Sequence, residues 1–246
     1  MAADTHALDL HDHGFARVAV AIPRVALGDP ATNAERTVAL HARAAERGAA
    51  VVVFPELGLS GYSLDDLHQQ DALLAASLDA LATVVDATVG SPTVAVVGLP
   101  LRVDGRLFNV AAVVGQGVVY GVVPKSYLPG YREFYEPRQF SAARDAVSDS
   151  VWLLGKGTPF GTDLLFRDAE RPDLVLHVEI CEDLWVPVPP STWGALRGAT
   201  VLCNLSASNA TIGKAEYRHQ LCASHSARLL AAHVYACAGA GESTTD

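Results

Sequence analysis

At 246 residues, half of them hydrophobic and with positive mean hydropathy, the chain can bury roughly three quarters of its unfolded surface, which excludes a disordered segment. A net charge of −9 with only 18 Lys plus Arg counts against a nucleic-acid binder, which needs a basic face. Cys181, Cys203, Cys222 and Cys237 are too widely spaced for a Cys-x-x-Cys site and read as thiols in a reducing cytoplasm, with no metal expected. The acidic start lacks the basic region and apolar run of a secretory signal, and the uncharged stretch 87–101 is broken by Gly90, Pro92, Gly98 and Pro100, so no membrane span is expected.

In chain order, residues 16–22 are nearly continuous in hydrophobicity, the pattern of a strand covered on both faces. Asp29-Pro30 marks a break, and 31–48 predicts a helix closed by Gly48. A second buried strand covers 50–54 and stops at Pro55-Glu56; residues 64–89 read as one long Ala/Leu helical region and 93–99 as a third strand. The runs 107–114 and 118–123 flank Gly115-Gln116-Gly117 and predict a β-hairpin, which makes the sheet mixed. Residues 127–144, rich in Pro, Gly, aromatic and charged side chains, predict an ordered loop over a site. Short strands are expected at 151–154 and 163–166, a stronger one at 174–180 that runs directly into Cys181, and another at 200–205. A helix over 212–232 and a strand over 234–238 follow. With no internal repeat or linker, residues 1–246 read as one domain, and a chain stopping at Gly239–Asp246 just after a buried strand reads as truncated at its C-terminus.

Glu56, Lys125 and Cys181 each stand at the end of a predicted strand, so one sheet edge receives a carboxylate, an ammonium and a thiol. A carboxylate beside a thiol can take its proton, and an ammonium can favour the thiolate and stabilise the oxyanion of an attacked carbonyl. Separately each has a plainer reading: a solvated loop acid, a surface lysine and a small core hydrophobe like Cys203, Cys222 and Cys237. His11 and His13 are read as an exposed terminus, and Trp152, Trp185 and Trp193 as core or pocket wall.

These residues carry a resemblance. Phe54-Pro55-Glu56, Pro124-Lys125 with the run to Glu136, and Ile180-Cys181-Glu182-Asp183 resemble the ordered glutamate, lysine and cysteine motifs of the nitrilase superfamily of carbon–nitrogen hydrolases. The segments around Gly58–Ser63, Tyr131–Glu136, Glu179–Trp185, Asn204–Asn209 and Gly241–Asp246 are similar to the glutaminase domain of the glutamine-dependent NAD synthetase family. The resemblance implies an α-β-β-α sandwich of two mixed sheets with outer helices. It also implies attack by Cys181 on the side-chain amide of glutamine through a thioester, with Glu56 as base and Lys125 at the oxyanion. Glu136 matches the family's second glutamate, with a structural salt bridge as its other reading. Glu182 and Ser208 are placed at the glutamine head group and Tyr131 in the pocket wall, while Asp183 is read as holding the turn. No cofactor is implied for amide hydrolysis; ATP, Mg and deamido-NAD belong to a synthetase domain absent from this chain, and a homo-oligomer is expected. A stand-alone amidase or carbamoylase, or a catalytically silent assembly domain, stays open.

Overall fold

The structure, a computed structural model, describes residues 10–239 and Glu242. The first half of the chain runs β1 (Val18–Val20), α1 (Pro30–Glu46), β2 (Val51–Val53), α2 (Asp71–Ala87), β3 (Val94–Val103), β4 (Arg106–Gly115) and β5 (Val118–Pro124). These strands form a five-stranded sheet in sequence order, parallel from β1 to β3 and antiparallel from β3 to β5. The second half runs α3 (Glu136–Gln139), β6 (Ser150–Leu153), β7 (Lys156–Pro159), β8 (Leu165–Arg167), β9 (Val175–Ile180), α4 (Pro190–Leu196), β10 (Val201–Ser206), α5 (Lys214–Leu229) and β11 (Ala232–Cys237). Its main sheet has the order β11-β10-β9-β8, parallel except for β8, and β6 and β7 form a separate hairpin.

Period-two alternation decides the layering. Val51, Val53, Val96, Ala111 and Val113 of the first sheet meet Leu176, Val178, Ile180, Leu205 and Val234 of the second in one dry core. The intervening residues Val52, Ala95, Val97, Ala112 and Val114 turn the other way and share a second core with Ala34, Leu81, Val84 and Val85 of α1 and α2. On the far side of the second sheet Leu202 packs with Ala195 of α4 and Leu229 of α5. The result is the expected α-β-β-α sandwich, with both main sheets mixed. Among the described residues no helix is long and apolar enough to cross a membrane.

Several local expectations change. Residues 64–89 are not one helix: a 3-10 turn at Asp65–Gln69 is followed by extended Gln70 (ψ 126°), and the α-helix starts at Asp71. The third strand does not stop at Leu99 but continues through Pro100 to Val103, turning into β4 at Asp104-Gly105, both with positive φ. The Gly115-Gln116-Gly117 hairpin forms as expected, with Gln116 and Gly117 left-handed. Trp152 is 77% and Trp193 57% exposed, so neither is core. Cys203 is buried, whereas Cys222 and Cys237 are half-buried. His11 and His13 lie in a 3-10 turn, Leu10–His13.

Candidate active site

Glu56 leaves β2 in a turn that lies directly against β3. Gly98 makes this possible: a Cβ there would sit 2.4 Å from Leu57 N and 2.8 Å from the Pro55 carbonyl. The turn is pinned by Phe54 N donating to Val96 O at 2.9 Å and Leu59 N to Gly98 O at 3.0 Å. The buried Glu56 carboxylate accepts from Lys125 Nζ at 2.6 Å and Asn109 Nδ2 at 2.7 Å through Oε1, and from Ala207 N at 2.8 Å through Oε2. Lys125, carried off the end of β5, also donates from Nζ to Glu136 Oε1 at 2.6 Å, and that oxygen accepts from the Tyr62 hydroxyl at 2.7 Å. An ammonium has three N–H bonds; two go to carboxylates, which leaves one for an oxyanion.

The charge balance decides the resting protonation. At 2.6 Å each pair gains about 6 kcal/mol at an effective dielectric of 20, against several kcal/mol to desolvate each ion, so one cation balances one carboxylate but not two. Burial accordingly raises Glu136 to about 7, with Lys125 opposing and Glu56 reinforcing the rise. Burial alone would lower Lys125, yet Glu136 and Glu56 hold its ammonium well above the ordinary lysine range.

Cys181 follows β9 directly with φ +47°, a left-handed conformation unusual for a residue with a side chain. Its turn is held by Asp183, whose carboxylate accepts from Ile180 N at 3.0 Å, Ser126 N at 3.1 Å and Tyr127 N at 2.8 Å. The nucleophile turn is thereby tied to the two residues after Lys125, and Asp183 takes the turn-holding role expected of it. Burial, then Glu56, push the Cys181 thiol well above the ordinary range; Lys125 pulls the other way and loses. Lys125 thus favours the thiolate, as expected of an ammonium there, but does not outweigh burial and Glu56. The environment therefore favours the thiol over the thiolate, with the Glu56 carboxylate among the charges that act on it.

On the open side, the Tyr131 hydroxyl donates to both Glu182 oxygens, at 3.1 and 3.0 Å. Burial raises the Glu182 carboxyl and Tyr131 opposes that; burial also raises Tyr131 to about 12. Ser208 Oγ accepts from Arg218 Nη2 at 3.3 Å, a bond that does not use its own O–H. Facing this pair is Lys214, at the first turn of α5. Its ammonium lies 5.2 Å from the centroid of Trp185 and 6.0 Å from that of Phe134, and donates to Asn209, whose amide donates to Glu133. Burial lowers Lys214, and the nearby Cys181, Glu133 and Glu182 oppose that. Asn109, Tyr62 and Lys214 went unread in the sequence. Asn109 had a signal, a lone amide inside the apolar run Leu107–Val114; Lys214 had none beyond following Gly213. Among the described residues no cluster of three His, Cys, Asp or Glu could hold a metal ion.

The carbon-nitrogen hydrolase profile matches residues 17–243. The chain belongs to the carbon-nitrogen hydrolase family. Among curated relatives, this hydrolase is 53% identical over 236 residues to the glutamine-dependent NAD(+) synthetase of Mycobacterium tuberculosis, covering 96% of this chain and 35% of that protein. It is 31% identical over 199 residues to the Thermotoga maritima synthetase, covering 80% of this chain and 31% of that one. It thus spans about a third of the length of the relatives it matches. Among solved structures, a glutamine-dependent NAD(+) synthetase from Cytophaga hutchinsonii superposes with a TM-score of 0.80 at 26% identity, covering 91% of this chain and 36% of that one. An amidase from Nesterenkonia sp. shares the fold, with a TM-score of 0.69 at 18% identity, covering 91% of this chain and 76% of that one.

Proposed function

We propose that this hydrolase is the glutaminase module of a glutamine-dependent NAD synthetase. The observation that carries the reading is the buried Glu56–Lys125–Glu136 cluster closing on Cys181, in a chain 53% identical to such synthetases. The Cys181 sulfur attacks the side-chain carbonyl carbon of glutamine while Glu56 takes the thiol proton. The carbonyl oxygen becomes an oxyanion against the remaining N–H of Lys125, and collapse expels ammonia carrying the proton returned by Glu56. Glu56 then takes a proton from water, which cleaves the thioester to glutamate and restores the thiol. Positioned base catalysis supplies about 10²–10⁴-fold, and splitting amide hydrolysis into two steps makes each easier.

Glutamine is zwitterionic, so its head group needs an acid and a base. Glu182, oriented by Tyr131, suits the ammonium, and Lys214 suits the carboxylate, with Ser208 supplying a further polar contact. Ammonia would pass to a synthetase portion that uses ATP, Mg and deamido-NAD. The reading includes a cytoplasmic location and a homo-oligomer, and it predicts slower glutamine turnover by this chain alone than by the full synthetase.

The test is glutamine turnover together with covalent trapping by a diazo-ketone glutamine analogue. Wild type should release ammonia and carry one adduct at Cys181, and Cys181→Ala should do neither. Turnover persisting in Cys181→Ala sinks the mechanism; a wild type that ignores glutamine but cleaves other amides or N-carbamoyl compounds replaces it with an amidase or carbamoylase.

A further inference from the structure

The outer face of the second sheet is apolar beneath Leu202 but polar at its C-terminal end, directly behind the nucleophile. Glu179, two residues before Cys181, points away from the dry inter-sheet core, and its side chain is fully buried. Removing an unpaired carboxylate from water costs several kcal/mol, so such a residue calls for an explanation. Ion pairing does not supply one. The group nearest to a counter-ion is His233 Nε2, at 3.9 Å from Oε1, and burial holds that ring down at about 4, hence neutral. The hydrogen bonds do supply one. Glu179 Oε2 accepts from Ser191 N at the start of α4 at 3.0 Å, and Oε1 accepts from Asn204 Nδ2 at 3.3 Å, from its cross-strand neighbour on β10.

Asn204 is the step that reaches the site. The same Nδ2 lies 3.5 Å from the Cys181 carbonyl oxygen, and Asn204 Oδ1 accepts from Ser206 Oγ at 2.8 Å. Burial raises the Glu179 carboxyl and the hydrogen bonds from Ser191 and Asn204 oppose that; as an acceptor at both oxygens it turns the Asn204 amide to present NH₂ towards Glu179 and Cys181 and its oxygen towards Ser206. That holds the amide with an N–H towards the Cys181 carbonyl, while Ser206 holds its other end. The backbone it supports is the left-handed Cys181, an unfavourable conformation for a residue with a side chain.

We propose that Glu179 is a positioning residue for the nucleophile, acting through Asn204, which Ser206 holds from its other end, to set the orientation of the Cys181 backbone and with it the thiol. Turnover, one of two readouts, rests on the glutaminase reading; the other, alkylation of Cys181 by iodoacetamide followed on its peptide by mass spectrometry, does not. Glu179→Leu keeps the volume and loses both acceptors, whereas Glu179→Gln keeps an acceptor oxygen for Asn204. The expected result is a loss in kcat of about tenfold or more for Glu179→Leu with KM within about twofold, a parallel fall in alkylation rate, and substantial recovery in Glu179→Gln, since a lost buried hydrogen bond of this kind is a tenfold-scale effect. Should Glu179→Leu not fold, Ser206→Ala removes one oxygen from the same chain of contacts and should slow alkylation likewise. Wild-type rates in folded Glu179→Leu and Ser206→Ala, or a Glu179→Gln variant no better than Glu179→Leu, would overturn the assignment. A wild type that does not turn over glutamine would refute the glutaminase reading, and the alkylation rates would still decide this one.

Discussion

Lys125 and Glu136 are both buried and joined at 2.6 Å, yet their removal should have opposite consequences. Lys125→Met strips the cation from two carboxylates that water does not reach, and an uncompensated buried charge costs about 3–5 kcal/mol. Glu136→Gln leaves one ammonium facing one carboxylate and keeps an oxygen for Tyr62 and Lys125. The pH dependence follows from the raised Glu136 carboxyl. A folded-state value of about 7 against an ordinary 4.5 means that its stabilising contribution is complete below pH 4.5 and is lost as pH rises through 7. Glu136→Gln removes that loss, so above pH 7 it should be as stable as wild type or more stable, by on the order of 1–3 kcal/mol, with the advantage shrinking towards pH 4.5. Urea denaturation of both variants across pH 4.5–8 checks this; a Glu136→Gln protein that loses ground as pH rises would contradict the charge balance.

At the scale of elements, the Glu56 turn depends on a missing atom. Gly98→Ala drives a Cβ to 2.4 Å from the Leu57 amide nitrogen, and backbone on both sides leaves nothing that can yield cheaply. It should cost about 1–3 kcal/mol, and activity should fall further than stability because the displaced segment is the one that carries Glu56. Gly157→Ala on β7 meets nothing within 4 Å and should change stability by less than about 0.5 kcal/mol. Calorimetry with a turnover assay on the pair separates a general intolerance of alanine in strands from this specific contact. The same elements mark what a sequence discloses. Glu56, Lys125 and Cys181 were legible because each follows a strand with a strong apolar pattern and sits in a compact motif. The β3–β4 hairpin was not, because Pro100 reads as a breaker, although the strand runs through it with Asn109 as its cross-strand neighbour. α4 was not read at all: it starts at Pro190, where proline has no N–H to lose in a helix's first turn. Asn109 matters through Glu56, 53 residues away, and Lys214 through Phe134 and Trp185 on distant segments, contacts that no local pattern encodes.

Across the whole molecule, Glu242, the last described residue, is joined to the loop after β2 beside the buried Glu56–Lys125–Glu136 cluster. Glu242 is 4% exposed; its Oε1 accepts from Tyr62 N and its carbonyl from Ser63 Oγ, across 180 residues of sequence. Tyr62 is also the residue whose hydroxyl holds Glu136, and through it Lys125, so Glu242 bears on the Lys125 ammonium through Tyr62. Glu242→Ala leaves the Tyr62 amide buried without an acceptor, which costs about 1–3 kcal/mol, and it frees the tyrosine to shift. Burial raises the Glu242 carboxyl, so its neutral form is favoured and the amide of Glu242→Gln is a close substitute that still accepts from Tyr62. Glu242→Ala should therefore melt lower and turn over glutamine more slowly, with KM little changed because Tyr131, Glu182 and Lys214 are untouched, and Glu242→Gln should recover most of both. Thermal denaturation and steady-state kinetics on the two variants decide the matter: an alanine variant with wild-type kcat would mean that Tyr62 holds Glu136 unaided, and that the contact serves the fold alone.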